Sequence, residues 1–241
     1  MSQMQAPPIT KANKYLLIVL VALFIAHSLG QALGMFSLVQ LFGLVPSALF
    51  PLRVHTLFTY PWVEAHLMSV LFNGLALWFI GSELERSWGT RVYLKFLLTA
   101  VFAAGLCYAL FASLILRGTW LGGGVLVGSA GLTYSLCVAY AVLYPDRQFY
   151  MMFAFPVKAR YFCLIIAAVE LYLGLFSGNP ASWGHLFSML TGFLLIRFQG
   201  LPAISWWFRE GSKKGPNPRK NASAQHLRLV KDEEDPPKYW H

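Results

Sequence analysis

The sequence predicts an all-α protein that spans a membrane six times and keeps both termini in the cytoplasm. Of its 241 residues, 57% are hydrophobic and only 12% are charged, and the mean hydropathy is +0.55. Water-soluble domains carry about 25% charged residues, so this composition excludes an ordinary soluble domain. The number of spans comes from six apolar runs close to the ~20 residues that a spanning helix needs. The orientation comes from the basic residues.

We predict spans at about 15–35, 65–81, 92–116, 124–144, 161–176 and 183–196. The stretch 36–61 is apolar but interrupted by prolines, which predicts a structured segment at the membrane interface. The chain then divides into a cytoplasmic segment 1–14, a membrane domain 15–208 and a polar tail 209–241, which is expected to be disordered. The basic residues of the tail could contact anionic lipid, although a solubilising role is favoured.

The Lys and Arg residues predict the orientation. With both termini in the cytoplasm, the inner segments hold 17 of the 19 basic residues, and the outer segments hold only Arg53 and Arg117. Cytoplasmic loops are enriched in Lys and Arg, so this orientation is favoured. Topology therefore accounts for the net charge of +9, and the absence of a groove-reading motif argues against nucleic acid as a partner. The lipid bilayer is an expected partner, and the oligomeric state stays open.

The sequence carries no pattern of a metal or cofactor site, and no cofactor is expected. Cys107, Cys137 and Cys163 fall inside apolar runs without ligand spacing, which is typical of small packing residues. The first apolar run is long and lacks a cleavage site. It is therefore interpreted as a retained anchor rather than a signal peptide.

Polar side chains inside the spans are the candidates for function, because each costs free energy to place there. The candidates are His27, His66, Ser69, Asn73, Ser129, Thr133, Tyr134, Ser135, Glu170 and His185. His27 and Glu170 are interpreted as structural. Ser69 and Asn73 lie four residues apart on one helix face, where Asn73 could either stabilise an oxyanion or join two helices by hydrogen bonding.

Glycine patterns mark the fourth and sixth spans. Glycines before Ser129 delay the start of the fourth helix to residues 128–131, where free N–H groups could form an oxyanion hole. The alternative is a helix-packing seam. In the sixth span, glycine or serine recurs every four residues from 184 to 192 and predicts one small face for close helix contact. His185 lies beside that face and is the candidate for acid–base chemistry.

These motifs, in this order, resemble the rhomboid family of intramembrane serine proteases over about residues 50–198. The rhomboid span with a polar asparagine and a following Gly-x-x-x-Glu turn is matched by HLMSVLFNGLALWFIGSELERSWG, with Asn73 and residues 81–85. The G-x-S-G motif with its later tyrosine is matched by VGSAGLTYS, with Tyr134. The span that bears the catalytic histidine is matched by GHLFSMLTG, with His185. The resemblance implies a six-helix rhomboid-like bundle.

The resemblance also implies a serine endopeptidase that cuts a transmembrane helix of another membrane protein with a Ser–His dyad. His185 would act as general base and then as general acid, and Tyr134 would pack against its ring. The side chain of Asn73, the backbone N–H of Ser129 and the Ser69 hydroxyl would stabilise the oxyanion. We expect transmembrane proteins as substrates and a bacterial inner membrane as the location.

Two positions depart from the rhomboid pattern. Ala130 stands where the motif has its nucleophilic serine, and a methyl group cannot attack a carbonyl, so the chain is predicted to be inactive. Ser129, one residue earlier, is not expected to replace it, and Ser69 stands where many rhomboids have a histidine. The chain is then either a protease that carries a Ser-to-Ala change or a pseudoprotease that binds transmembrane segments without cutting them. A transporter is a third possibility, but no inverted repeat supports it.

Overall fold

A computed structural model describes residues 8–48, 53–115, 124–151 and 155–198. The chain divides into two units, Met1–Gly211 and Ser212–His241. Every described residue lies in the first unit, so the predicted disordered tail lies outside the described residues.

The described residues are mostly helical, as predicted, and include one short β-hairpin. The helices are α1 (Lys11–Ala32), α2 (Leu38–Phe42), α3 (Thr56–Thr59), α4 (Leu67–Ala76), α5 (Ser82–Trp88), α6 (Thr90–Leu114), α7 (Ala130–Leu143), α8 (Ala159–Leu175) and α9 (Pro180–Arg197). The hairpin consists of β1 (Gln148–Met151) and β2 (Phe155–Lys158). A π-helical turn, Leu77–Gly81, joins α4 to α5 in one continuous helix.

Each of the six predicted spans coincides with a helix, and three of these helices have the character of a membrane span. Among the described residues, Lys11–Ala32, Leu67–Trp88 and Thr90–Leu114 are long and apolar enough to cross a membrane. Helix α7 is shorter than predicted, with 14 residues. Residues 124–129 were included in the fourth predicted span but are not helical, because the backbone of Gly128 is left-handed, with φ +104°.

The core lies where α6 and α7 meet α9. Phe96, Tyr108 and Leu136 are fully buried there. By contrast, only 17% of the 18-residue apolar stretch of α1 is buried within the protein. A largely apolar helix with so little protein contact is suited to lipid on its remaining surface.

The segment between α1 and α4 contains short helical turns and a backbone contact with the residues before α7. Besides α2 and α3, it includes 3₁₀ turns at Pro46–Ala48 and Tyr60–Trp62. Leu44 and Leu126 exchange two backbone hydrogen bonds of 2.9 Å. This bridge ties the segment to the beginning of α7, while its location at the membrane interface stays a prediction.

The sequence did not predict the hairpin between α7 and α8. Its strands are antiparallel, with Gln148 opposite Lys158. Lys158 Nζ donates to Asp146 Oδ1 at 3.1 Å, and Arg160 Nη2 lies 3.6 Å from the same oxygen. The hydrogen bond from Lys158 and the two positive charges lower the pKa of the Asp146 carboxyl. Strands of four residues are too short to show a period of two between apolar helices.

Glu85 joins the N-terminus of α1 to α5. Its carboxylate accepts hydrogen bonds from the backbone N–H groups of Ala12 at 3.1 Å and Asn13 at 3.3 Å, and from Thr90 Oγ1 at 2.7 Å. The side chains of Asn13 and Thr10 also donate to it. The first N–H groups of a helix have no partner within the helix, so a carboxylate placed there gains hydrogen bonds and a favourable interaction with the helix dipole.

Gly81 makes room for the same network. A Cβ atom at this position would lie 2.6 Å from Asn13 Oδ1 and 2.6 Å from the Tyr93 hydroxyl oxygen, and Tyr93 donates to Asn13 Oδ1 at 2.7 Å. The Gly-x-x-x-Glu turn of the rhomboid resemblance therefore has a structural role in this chain, which is to hold α1 against α5 and α6.

Helices α7 and α9 lie against each other along a stripe of small residues. A Cβ atom on Gly131 would lie 2.6 Å from Ser188 Oγ, and one on Gly192 would lie 2.9 Å from the Ser135 carbonyl oxygen. Because the two contacts advance by four residues along both helices, the helices run in the same direction. These contacts confirm the predicted small face of the sixth span.

The role of Glu85 predicts a large effect of E85Q on stability. The amide keeps the shape but loses the charge-assisted hydrogen bonds, so we expect the free energy of unfolding to fall by about 2–3 kcal/mol. E83Q is the matched control on α5, because Glu83 is partly exposed and lies 3.7 Å from Arg147, and the amide oxygen can still accept the hydrogen bond that the Tyr140 hydroxyl donates to Glu83 Oε2 at 2.8 Å. We expect E83Q to cost less than about 1 kcal/mol. Thermal denaturation in detergent compares the two variants, and equal losses would contradict the role given to Glu85.

The stripe of small residues between α7 and α9 predicts opposite outcomes for two glycine-to-alanine substitutions, one inside the stripe and one outside it. Each gains up to about 1 kcal/mol of helix propensity, but in G192A the new methyl group meets backbone that cannot move aside. We expect G192A to lower the free energy of unfolding by about 1–3 kcal/mol. In G74A the methyl group would lie 3.3 Å from the flexible end of Leu17, so stability should be unchanged or higher. Titration with a denaturing detergent measures the free energy of unfolding of both variants. An unchanged value for G192A would show that α7 and α9 can move apart at this contact without loss of stability.

Candidate functional site

The beginning of α7 is shaped by residues that precede α4. Gly128 donates its backbone N–H to the Tyr60 carbonyl oxygen at 3.0 Å, and its φ of +104° lies in the left-handed region that favours glycine. A Cβ atom at Gly128 would lie 3.3 Å from Glu64 Oε2. Helix α7 then begins at Ala130, within the predicted range 128–131.

Glu64 holds the groups that the sequence assigned to an oxyanion hole. Its Oε1 atom accepts hydrogen bonds from the Ser129 backbone N–H at 2.7 Å, from Ser129 Oγ at 2.5 Å and from Asn73 Nδ2 at 3.1 Å. All three residues are buried, and Glu64 is only 3% exposed. The structure therefore brings Asn73 and Ser129 together around a carboxylate of the chain itself, whereas the rhomboid resemblance implied an oxyanion between them.

His185 lies on α9, and its side chain contacts residues of α7 and α8. Its Nδ1 atom is 3.1 Å from Glu170 Oε1, and the two side chains are 14% and 7% exposed. The ring of Tyr134 meets the imidazole edge to face, with a centroid separation of 5.3 Å and an angle of 86° between the planes. Glu170 Oε2 and the Ser182 hydroxyl are buried and form no hydrogen bond with any described residue. The imidazole is thus held by an acid on one side and by an aromatic ring on another.

Ala130 occupies the first position of α7 and is partly exposed. It precedes Tyr134 by four residues, so both side chains lie on the same face of the helix. The next residue, Gly131, contacts Ser188 of α9, which sets position 130 near the level of His185. The alanine methyl supplies no nucleophile, and the Ser129 hydroxyl is engaged with Glu64.

The remaining candidates do not join this group. Ser69 is partly exposed on α4, one turn before Asn73, and no described residue bonds its hydroxyl. His66 precedes α4 without capping it. His27 is buried in α1, and its Nδ1 has no partner among the described residues. In the part of the chain that the structure describes, no three His, Cys, Asp or Glu side chains are grouped to hold a metal ion.

The sequence did not identify Glu64 as a candidate, and it gave the candidate Glu170 no functional role. Glu64 was not a candidate because it lies just before a span and 65 residues from Ser129. Glu170 was interpreted as structural, although an ionisable residue inside a span is a functional candidate by default. That signal, combined with His185 on the next span, could have suggested an acid–imidazole pair.

Several known proteins resemble this chain. The family described as "Eukaryotic integral membrane protein (DUF1751)" matches residues 14–200. "Rhomboid-type serine protease 2" of Saccharomyces cerevisiae is 26% identical over 165 residues, which cover 66% of this chain and 59% of that protein. "Rhomboid-like protein 19" of Arabidopsis thaliana is 25% identical over 194 residues, which cover 78% and 61%. The chain spans about three fifths of the length of these relatives, and the matches confirm the resemblance to rhomboids.

The comparisons contradict the predicted bacterial inner membrane. The matching family is described as eukaryotic, and the two relatives come from yeast and a plant. That prediction was therefore wrong, while an integral membrane protein is supported. Hydropathy and the bias of basic residues report insertion into a bilayer, and they do not distinguish the membranes of different cells.

Proposed function

This chain belongs to the DUF1751 family of eukaryotic integral membrane proteins, and from that premise we propose that it is a rhomboid-like protein that binds transmembrane segments of other membrane proteins without hydrolysing them. One observation carries the proposal. Glu64 Oε1 accepts the hydrogen bonds of Asn73 Nδ2 and the Ser129 N–H, which are the donors that a rhomboid protease would need for its oxyanion. The nucleophile position is Ala130.

A carboxylate in this place opposes catalysis twice. It occupies the donors, and it adds a negative charge where a tetrahedral intermediate would develop another. Two unit charges about 4 Å apart repel by about 4 kcal/mol at an effective dielectric constant of 20. An added serine hydroxyl would meet this barrier as well, so the alanine is only one of two reasons for inactivity.

The proposal includes a bundle of six membrane-crossing helices with both termini in the cytoplasm. The hairpin between α7 and α8 carries Arg147, Lys158 and Arg160, which suits a cytoplasmic turn. The N-terminal ends of α7 and α9 then face the opposite side, so the candidate site opens toward the outer leaflet. A bound partner would be a single transmembrane helix that unwinds locally near that side.

A second candidate is a protease whose nucleophile has been replaced. The yeast relative is named a serine protease, and Tyr134 still contacts His185 at a ring separation of 5.3 Å. In this alternative, the substitution A130S would suffice to restore hydrolysis, with His185 as the base for the new hydroxyl.

Reconstitution in liposomes separates the two candidates. The chain is mixed with a single-span reporter that carries a fluorophore at each end, and binding and cleavage are measured together. We expect the unchanged chain to bind the reporter without cleaving it. A130S should bind equally and cleave at least about 100-fold more slowly than an active rhomboid protease, because losing one oxyanion donor already lowers turnover by about 10²–10³.

Substitution at Glu64 supplies the control. On the A130S background, E64Q removes the negative charge, and any cleavage should rise at least about tenfold and disappear again with H185A. Cleavage by A130S alone at the rate of an active protease would establish the second candidate. Failure of the unchanged chain to bind any single-span reporter would refute the proposed function.

A further inference from the structure

We propose that Glu170 is a positioning residue that fixes the tautomer of His185, so that Nε2 presents a hydrogen-bond acceptor to hydroxyl or N–H donors of a bound transmembrane segment. The recognition of a segment rests on the proposed function. The fixing of the tautomer does not, and it can be measured on the protein alone.

The contact joins two neighbouring helices. His185 Nδ1 of α9 lies 3.1 Å from Glu170 Oε1 of α8. Close to this contact, α8 and α9 approach through Gly174, where a Cβ atom would lie 3.2 Å from the Trp183 ring. The carboxylate is therefore brought to the imidazole by tight packing of the helices, and it is almost entirely buried.

The hydrogen-bonding chemistry determines which nitrogen carries the proton. A neutral imidazole has one N–H donor and one acceptor nitrogen, and an ionised carboxylate can only accept. The two atoms lie 3.1 Å apart, although Nδ1 makes no well-aligned hydrogen bond with any described residue. A lone pair on Nδ1 would be repelled by the carboxylate at that distance, so in a neutral imidazole the proton belongs on Nδ1 and the lone pair on Nε2. A carboxylate that fixes a histidine tautomer in this way is a recurrent second partner in histidine sites.

The other nitrogen faces away from α8. Within the described residues, Nε2 of His185 takes part in no hydrogen bond. Tyr134 of α7 bounds the ring edge to face at 86° and lies on the same helix face as Ala130. The geometry points to an acceptor at Nε2, on the part of α9 that lies within about one helical turn of the level of Ala130.

This acceptor selects a class of ligand. A transmembrane segment that unwinds exposes backbone N–H groups that cannot be left unpaired in hydrocarbon, and Ser or Thr side chains supply hydroxyl donors. Glu64, whose three bonds all fall on Oε1, adds a second acceptor group near the start of α7. The candidate site therefore favours a ligand that donates hydrogen bonds, whereas an oxyanion hole favours a ligand atom that accepts them.

Nitrogen-15 spectra of histidine-labelled protein in nanodiscs test the tautomer. At neutral pH we expect His185 to be the Nδ1–H form. E170Q should keep that form, because the amide oxygen still accepts, while E170L should lose it. The signals of His27, a buried histidine on α1, serve as the internal control and should not move. An Nε2–H form in the unchanged protein, or an unchanged tautomer in E170L, would overturn the proposal.

Binding of matched reporters tests the recognition. Two single-span reporters differ only by Ser or Ala at the depth of residue 130. We expect the serine reporter to bind about three- to tenfold more tightly, which corresponds to one interhelical hydrogen bond, and E170L should abolish the preference. Equal binding of both reporters would refute the recognition and leave the proposed function standing. Binding of neither would refute the proposed function, and the tautomer would still be decided by the spectra.

Discussion

The close approach of α7 and α9 is the contact on which the candidate site depends. Helices in a membrane gain no hydrophobic free energy from touching each other, so their association relies on dispersion contacts that small residues permit. Gly131 and Gly192 each face an atom that would be under 3.0 Å from an added Cβ. Because the helices run in the same direction and Gly131 meets Ser188, the level of Ala130 is about two residues, or about 3 Å along the helix axis, from that of His185.

Three buried glutamates give this bundle its polar organisation. By membrane-insertion measurements, a charged side chain costs about 2.5–3.5 kcal/mol at the centre of a spanning helix. Glu85 offsets its burial with the free N–H groups of α1, Glu64 with the N–H of Ser129 and the amide of Asn73, and Glu170 with His185. Each carboxylate therefore connects two different elements of the fold, and removing a partner would leave a buried charge without compensation.

These carboxylates change the chemical character of the site. A rhomboid protease needs a nucleophile and a set of donors for an oxyanion, whereas this chain has a methyl group at position 130 and a carboxylate on the donors. The histidine and its aromatic neighbour remain in contact. The result is a rhomboid-like scaffold with an acceptor where a protease has donors, and the proposed partner is a transmembrane segment. The name of a relative that is a protease therefore indicates the architecture of this chain more directly than its chemistry.

The helices, the delayed start of α7 and the small face of α9 were determined by the sequence, because hydropathy, glycine position and four-residue spacing act within a few helical turns. The rhomboid resemblance also implied that Asn73 and Ser129 serve one oxyanion and therefore lie close together. The Glu64 carboxylate between them, the Glu170–His185 pair, the π-helical turn and the hairpin were decided by the tertiary structure. A hydrogen bond between helices depends on how each helix is rotated about its axis. That rotation is set by packing against every neighbour at once and leaves no local pattern in the chain.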